Sequence, residues 1–202
     1  MTYGLYYDYK KVGDVLIIQF DGILESDHEK RIGNIVSLFN GDKLLSIRIY
    51  EISKIIKIKA KGYIPFINEK VLDVINTILI NAGLDPLEPL TTSSYIVSRI
   101  EEVEEHPTNK SYKVCKVNYG DSVLLQVVSN AENIRENLLC VCALPFAFLS
   151  DRTQVVPQSV DGVNSLGLIC TPKDLQLRIP DSENKVFELD EAYSVGEDFW
   201  KY

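Results

Sequence analysis

From Tyr95 onward the chain alternates short β-rich segments with turn residues at a regular interval. The β-rich segments cover residues 95–104, 112–117, 123–128 and 138–144. The first two are separated by His106-Pro107-Thr108-Asn109, and the next turn is Tyr119-Gly120-Asp121. Short strands that recur every 8–12 residues or so are typical of an all-β sandwich or barrel. The second half of the chain is therefore predicted to be a β domain of one of these two kinds.

The first 90 residues show a mixed pattern, which predicts a small α+β unit. Candidate strands cover residues 14–20, 32–39, 44–50 and 55–61. Asn40-Gly41 lies between two of these segments and is a strong hairpin signal. In the last segment Lys57, Lys59 and Lys61 alternate with apolar residues, so on a strand they share one face. That face has two open interpretations, a binding surface or a solvated strand face of the kind that protects sheet edges.

One helix is predicted before the β domain. Asn68 can cap its first turn, Gly83 is a natural residue to follow its last turn, and apolar residues recur between them at helical spacing. Residues 85–94 then combine two prolines with a Thr/Ser run, which is typical of a linker. The predicted domains are residues 1–90, of unknown role, and residues 91–202.

The charge of the chain is unevenly distributed. Its 202 residues carry a net charge of −8, of which −1 falls in residues 1–90 and −7 in residues 91–202. Affinity for nucleic acid depends strongly on neutralising phosphates, so the acidic second half argues against strong, non-specific binding. No run of 18 apolar residues occurs, and residues 1–10 lack the basic and apolar regions that predict a signal peptide, so we expect a cytoplasmic protein.

The cysteine pattern argues against a metal site. Cys115, Cys140, Cys142 and Cys170 form no Cys-x-x-Cys pair, and each lies in or beside an apolar run. A zinc site would need closer pairs and histidines, of which the chain has two. We expect reduced cysteines that act as small core residues, and neither a metal nor another cofactor.

Nothing in the sequence indicates a catalytic centre. His28 lies in a predicted polar loop and His106 in a turn, so neither is expected to serve a nucleophile. The carboxylates Glu101, Glu102, Glu104 and Glu105 fall on both faces of a strand end, which is typical of a solvated acidic patch. No phosphate-binding loop, dinucleotide fingerprint or His-Glu-x-x-His motif occurs. The chain is predicted not to be an enzyme.

Five motifs in the second half follow one another in a recognisable order. They are residues 99–107 (RIEEVEEHP), 114–120 (VCKVNYG), 127–136 (VVSNAENIRE), 141–145 (VCALP) and 162–171 (GVNSLGLICT). Leu175 and Leu177 follow the last motif. This series resembles the tRNA-binding domain that occurs in the β subunit of bacterial phenylalanyl-tRNA synthetase, in the C-terminus of methionyl-tRNA synthetases and in endothelial monocyte-activating polypeptide. The two-domain layout is similar to the stand-alone form of Gram-positive bacteria, which carries an extra N-terminal domain.

The resemblance implies a fold and a ligand. The fold class is mainly β, a five-stranded OB-fold barrel in the second half preceded by the small α+β domain. The implied function is non-catalytic tRNA binding, by shape and backbone, on the concave face of the barrel. The implied partners are tRNA, an aminoacyl-tRNA synthetase or another translation protein, and a second copy of the chain in a homodimer.

Transfer of the motifs gives eight candidate RNA-binding residues. They are Arg99, Asn109, Lys113, Lys116, Asn133, Ser165, Leu168 and Thr171. Lys113 and Asn133 can equally be ordinary surface residues. The hydroxyls of Ser165 and Thr171 either contact phosphate or ribose or tie down the turn around Gly167.

Departures from the family pattern leave a second function open. Acidic residues replace a proline at Glu132 and a basic residue at Asp161, and the family's Asp-Lys becomes Lys110-Ser111. These changes predict lower tRNA affinity. The alternative is a protein-interaction or dimerisation module that kept the OB fold but lost most of its RNA affinity.

Overall fold

The computed structural model describes residues 2–180 and 183–201, which form two compact units. The first unit holds the residues up to Thr91 together with Phe148–Gln154. The second holds Thr92–Ala147 together with the residues from Val155 onward. Each unit has its own hydrophobic core.

The first unit is an antiparallel sheet with helices. Its elements are β1 (Gly4–Tyr7), α1 (Tyr9–Val12), β2 (Val15–Gln19), β3 (His28–Ile32), β4 (Ile35–Asn40), β5 (Lys43–Tyr50), β6 (Gly62–Ile64) and α2 (Glu69–Asn81). The strand order across the sheet is β3-β4-β5-β2-β1-β6. The predicted Asn40-Gly41 hairpin is confirmed as the connection from β4 to β5, with Gly41 at φ +53°.

Helix α2 packs on one face of this sheet. Its buried residues Leu72, Ile75 and Leu79 share a core with apolar side chains of the strands. The Asn68 side chain accepts a hydrogen bond from the Val71 N–H (3.0 Å), and Gly83 follows the helix at φ +72°. The predicted cap and stop are therefore both confirmed. No helix within residues 2–180 and 183–201 is long and apolar enough to cross a membrane.

Two strand predictions in the first unit are wrong. The segment 32–39 is not one strand, because a turn at Gly33 and Asn34 divides it into β3 and β4. His28 therefore lies in strand β3 and not in a loop. Residues 55–61 form no strand: Ile56, Ile58 and Ala60 pack against the core and the lysines between them are exposed, but the segment has no ladder partner. The alternation arises because the segment is extended, with every second side chain packed against the core.

The second unit is the predicted OB-fold barrel. Its strands are β7 (Tyr95–Glu105), β8 (Lys113–Asn118), β9 (Leu125–Ser129), β10 (Leu139–Ala143), β11 (Gln158–Val160), β12 (Val163–Ser165) and β13 (Leu168–Ile169). Five of them form an antiparallel sheet in the order β13-β10-β7-β8-β9. The Leu166 N–H donates to the Gln126 carbonyl (2.9 Å), which brings the chain before β13 against β9 and nearly closes the barrel.

The end of the chain is tied to the start of β7. The Val97 N–H donates to the Glu197 carbonyl (2.8 Å), and the Gly196 N–H donates to the Val97 carbonyl (2.9 Å). Asp198 is 6% exposed, and its carboxylate accepts from the Ser93 N–H (2.6 Å) and hydroxyl (2.7 Å). The two ends of the barrel domain are therefore joined through one buried carboxylate.

The four cysteines lie in the core of the barrel domain, as predicted. All are buried as free thiols, and three belong to the same apolar cluster. Burial raises the pKa of the Cys115 thiol to about 11 and that of Cys142 to about 12. Thiols with such pKa values carry almost no thiolate at neutral pH, so these side chains act as small apolar groups.

Candidate nucleic-acid interface

The barrel strands β8 and β9 present one face outward. Lys116 of β8 pairs with Gln126 of β9, and Val114 pairs with Val128. The residues between them, among them Cys115 and Val127, point the other way into the core. We call the four positions on the other side of these strands, Val114 (itself 8% exposed), Lys116, Gln126 and Val128, the β8–β9 outer face. In OB folds the corresponding strands and the adjoining loops bind oligonucleotides.

Lys116 is the cation of this face. Its ammonium donates to Gln126 Oε1 (2.7 Å), and Gln126 Nε2 in turn donates to the Asn164 carbonyl (2.8 Å). The partner of the ammonium is a neutral oxygen, so the positive charge is not compensated there. Glu102 is the neighbour of Lys116 on the other side, in β7. Lys116 therefore offers a charge to an anion, in an acidic neighbourhood.

Ser165 and Leu168 flank the same face at the seam of the barrel. Ser165 is 3% exposed, and its hydroxyl accepts from the Val128 N–H (3.0 Å) and donates to the Gly167 carbonyl (3.4 Å). A Cβ at Gly167 would lie 2.8 Å from Leu125 Cδ2 and 3.0 Å from the Ala143 carbonyl oxygen, so a larger residue there would require Leu125 to shift. Leu168 is half-buried in β13, opposite Ala143. The Ser165 hydroxyl thus ties the turn to strand β9.

Asn109 lies in the loop before β8, on a turn built around His106. His106 is in the predicted turn but is 3% exposed, so it is not a surface residue. Its Nδ1 accepts from the N–H groups of Thr108 (3.3 Å) and Asn109 (3.1 Å), which leaves Nε2 to donate to the Val160 carbonyl (3.0 Å). Asn109 Nδ2 donates to Asp161 Oδ2 (2.7 Å). The loop is therefore fastened to the β11–β12 hairpin.

Lys113 and Asn133 form a second group. The Lys113 ammonium donates to the carbonyl of Ile134 (3.1 Å), the residue after Asn133. Asn133 Nδ2 donates to the Val186 carbonyl (3.0 Å), and Asn133 Oδ1 accepts from the Val186 N–H (2.9 Å). Lys113 is three residues from Lys116, so the two lysines leave strand β8 on opposite faces. The hydrogen-bond partner of Lys113 is a neutral oxygen, and its cross-strand neighbour in β7 is Glu105.

Arg135 belongs to this second group although the sequence reasoning did not select it. Its guanidinium forms two bonds with Glu188, at 2.7 and 2.9 Å, and Asn133 Nδ2 adds a third bond to the same carboxylate at 2.8 Å. The bonds from Arg135 and Asn133 lower the pKa of Glu188 to about 2. The signal for Arg135 was present in the motif at 127–136, but its carboxylate partner lies 53 residues away.

The Arg135–Glu188 pair predicts a pH dependence of stability. Because the folded pKa of Glu188 lies below the ordinary glutamate value, the pair stabilises the fold above about pH 4.5, and this contribution is lost as the pH falls toward 2. Replacing Glu188 with glutamine should lower the free energy of unfolding at pH 7 by about 1 kcal/mol or less, since the pair is exposed to solvent. Urea unfolding at pH 7 and pH 3.5 measures the difference, which should shrink at the lower pH. A difference that grows there would contradict the assignment.

Arg99 and Thr171 are each held by a carboxylate. Both terminal nitrogens of Arg99 donate to Glu191, at 3.0 and 3.4 Å. The Thr171 hydroxyl donates to Asp174 Oδ2 (2.7 Å), and the same oxygen accepts from the Thr171 N–H (2.8 Å). The guanidinium charge of Arg99 is therefore already paired, and the Thr171 hydroxyl ties down its own turn.

The structure thus brings the eight candidates together only in part. Lys116 lies on the β8–β9 outer face and Ser165 lies beside it at the seam of the barrel, whereas Lys113 bonds to the carbonyl of Ile134, the residue after Asn133. Of these eight candidates, only Lys113 and Lys116 are cations whose hydrogen-bond partners are neutral oxygens. Such ammonium groups can contact phosphate oxygens without first giving up an ion pair.

Comparisons with known proteins agree with this architecture. The family model described as "Putative tRNA binding domain" matches residues 95–198, a little over half of the chain. The chain is 29% identical to the "Putative tRNA-binding protein YtpR" of Bacillus subtilis (strain 168), over 96% of this chain and 98% of that protein.

Similarity to synthetase subunits covers only a small part of much longer proteins. The phenylalanine–tRNA ligase β subunit of a Wolbachia species from Brugia malayi is 33% identical over 64% of this chain, and that of Chlorobium luteolum is 35% identical over 56%. The matched regions are 16% and 14% of those subunits. With the five motifs in order, the barrel topology and the family match over residues 95–198, the chain belongs to the tRNA-binding domain family.

Proposed function

We propose that the protein binds tRNA without catalysing a reaction, through the β8–β9 outer face and its adjoining loops. The observation that carries the proposal is the family match over residues 95–198, which coincides with an OB barrel. A relative that covers nearly the whole chain is itself named as a tRNA-binding protein. OB folds bind nucleic acid with this strand pair and its loops.

Lys116, on the β8–β9 outer face, and Lys113, at the start of strand β8 beside the preceding loop, carry the phosphate contacts in this proposal. Their ammonium groups bond to a backbone carbonyl and a glutamine oxygen, whereas Arg99 and Arg135 are each paired with a glutamate. Asn109 lies in the loop before β8 and contributes a polar contact from the rim. A buried hydroxyl favours a positioning role for Ser165, and the hydrogen bonds of Thr171 favour the same role there.

We further propose that the contact is weak and reads the shape of folded tRNA. The barrel half carries −7, so few phosphates can be neutralised at once. Proteins that recognise RNA by shape rely on backbone and ribose contacts more than on base edges. Asn133, which lies beside Lys113, and Leu168, which lies in β13, supply polar and apolar surface near the lysines in this scheme.

The remaining parts of the proposal concern organisation. Residues 91–202 carry RNA binding and residues 1–90 form a separate domain with a separate role. The protein acts in the cytoplasm, where tRNA and the synthetases are found. Association with a phenylalanine-specific synthetase or another translation protein is supported only by the similarity to the β subunits.

Filter binding of the full chain to bulk tRNA tests the proposal. We expect saturable retention of tRNA in 50 mM salt that weakens strongly in 200 mM salt, because bound phosphates release counterions. A matched assay with duplex DNA of similar length should show weaker retention, since the proposed surface is shaped for folded RNA. Absence of retention at 50 mM salt would contradict the proposal.

One observation favours a second function, a protein-interaction or dimerisation module. Phe146 is 54% exposed in the barrel unit, whereas Phe148, which the sequence reasoning grouped with it, is 1% exposed and buried in the first unit. An exposed aromatic side chain is a common anchor of protein interfaces. Sedimentation of the full chain distinguishes the two functions: a dimer abolished by Phe146→Ser, with no retention of tRNA, would favour the interaction module.

A further inference from the structure

The first unit contains an open polar cleft of about 470 Å³. Its floor is the face of the sheet opposite helix α2, where Gln19, Ser46 and Arg48 lie on β2 and β5. Its wall is formed by the loop that begins at Asp21 and by the turn at 151–153 of the segment Phe148–Gln154, and these meet where the Gly22 N–H donates to Gln154 Oε1 (2.9 Å). The cleft is therefore built within one unit, from three parts of the chain that are distant in sequence.

Arg48 provides an unpaired cation on the floor of this cleft. Its cross-strand neighbours are Ile17 and Val36, which are both buried, and its Nε is buried without a hydrogen-bond partner. Within the described residues its side chain makes neither an ion pair nor a hydrogen bond. A guanidinium has five N–H donors, and a buried donor without an acceptor is costly. Such a group calls for an acceptor that the chain itself does not supply.

Arg152 also lines this cleft, from the turn at 151–153. It lies in the turn closed by the bond from the Leu149 N–H to the Thr153 carbonyl (2.8 Å), and its backbone has φ +77°. That conformation favours glycine or asparagine, yet the chain places an arginine there. Among residues 2–180 and 183–201, no side-chain hydrogen bond or ion pair of Arg152 is found.

Most of the acidic side chains around the cleft are already engaged. Asp21 forms an ion pair with Lys43 (2.6 Å) and accepts from the N–H groups of Ile23 (2.7 Å) and Leu24 (2.8 Å). Asp151 accepts from the hydroxyl of Thr153 (2.6 Å). Lys43 therefore compensates the charge of Asp21, and Thr153 orients the Asp151 carboxylate, so neither carboxylate forms an ion pair with Arg48 or Arg152 in the part of the chain that the structure describes.

We propose that this cleft binds a small-molecule oxyanion, a carboxylate or a phosphate monoester, between Arg48 and Arg152. Planar guanidinium groups match both oxyanions with paired N–H donors, and a partly buried arginine binds them more strongly than a solvated one. Glu25 at the rim disfavours large polyanions. The site lies in the first unit and is independent of the proposed tRNA binding by the barrel.

An NMR titration of the 15N-labelled full chain tests this site. The probes are inorganic phosphate and acetate, each added at constant ionic strength against chloride. We expect saturable shifts in the amides of residues 21–26 and 151–153 and in the Arg48 Nε–H signal. The probe that binds with the lower dissociation constant identifies the class of oxyanion, phosphoryl or carboxylate.

Three variants decide the outcome. Arg48→Gln and Arg152→Gln should each raise the dissociation constant of the bound anion by about tenfold or more, because each removes a charge-assisted contact. Arg178→Gln removes an exposed arginine in the barrel unit and should leave that dissociation constant unchanged. Arg152 is exposed, so its variant keeps the test valid even if Arg48→Gln perturbs the sheet. Shifts that do not saturate, or that persist equally in both cleft variants, would overturn the proposal.

Discussion

Exchanging Lys113 and Lys116 together for glutamate should weaken the binding of bulk tRNA by at least about 100-fold. In water, two unit charges 4 Å apart interact by about 1 kcal/mol, and reversing the sign of one changes the energy by about twice that. Two reversals therefore cost about 3–4 kcal/mol, which corresponds to roughly 100-fold or more in the dissociation constant. Filter binding of both proteins at 50 mM salt measures the effect.

A matched charge reversal in the first unit controls for net charge. Lys57 and Lys59 are exposed and lie outside the barrel unit, so Lys57→Glu with Lys59→Glu changes the total charge equally. We expect this control to lose less than about threefold in tRNA affinity, because Lys57 and Lys59 are not among the proposed phosphate contacts. Circular dichroism should show that both variants are folded. Equal losses in the two variants would place the contact elsewhere.

Replacing Asp198 with alanine should lower the stability of the barrel unit by about 3 kcal/mol or more. The carboxylate accepts four bonds, from the N–H and hydroxyl of Ser93, the hydroxyl of Thr92 (3.0 Å) and the Trp200 N–H (3.1 Å). Each buried donor left without an acceptor costs about 1–3 kcal/mol. Thermal unfolding should show a midpoint lower by about 10 °C or more for a unit of this size.

Asp190→Ala is the control for this stability prediction. Asp190 is exposed and accepts one bond, from the Ala192 N–H (3.0 Å), so its removal changes the same charge in the same segment of the chain. We expect a change within about 1 kcal/mol. If Asp198→Ala behaves like this control, the carboxylate does not join the two ends of the barrel unit.

The parts of the fold that sequence reasoning predicted correctly depend on local chemistry. Helix α2 begins at a side-chain cap from Asn68 and ends before Gly83, and both signals operate within one turn of the helix. The β4–β5 hairpin follows from Asn40-Gly41 in the same way. The barrel strands β7 to β10 were visible because turn residues separate them at short intervals.

The wrong predictions arose where tertiary partners decide the structure. Every residue of β3 is exposed, so its sequence carries no alternation, and the strand forms because β4 supplies its ladder. Residues 55–61 alternate but find no partner strand. Alternation reports which side chains face the core, and it does not report whether a neighbouring backbone is present.

The candidate site shows the same limit. The motif series named Arg99 and Asn133, but their partners Glu191 and Glu188 lie 92 and 55 residues further along the chain. Because Arg99 forms an ion pair with Glu191, its charge is already paired. Because Asn133 bonds to Glu188, it holds residues 186–188 in place. Likewise, His106 was expected in a turn, but its burial depends on Val160 in a distant hairpin. The sequence shows the type and order of the candidate residues. Which of their charges are paired is visible only once the fold brings distant residues together.

The most direct test of tRNA binding by the barrel is the salt dependence of the affinity. It is measured for the full chain and for the double variant Lys113→Gln, Lys116→Gln. A plot of the logarithm of the association constant against the logarithm of salt concentration has a slope of about −0.9 per phosphate contacted in a duplex and about −0.7 in a single strand. Loss of two contacts should therefore make the slope shallower by about 1.4–1.8. An unchanged slope, or a natural chain that binds no tRNA at any salt concentration, would contradict binding through these lysines.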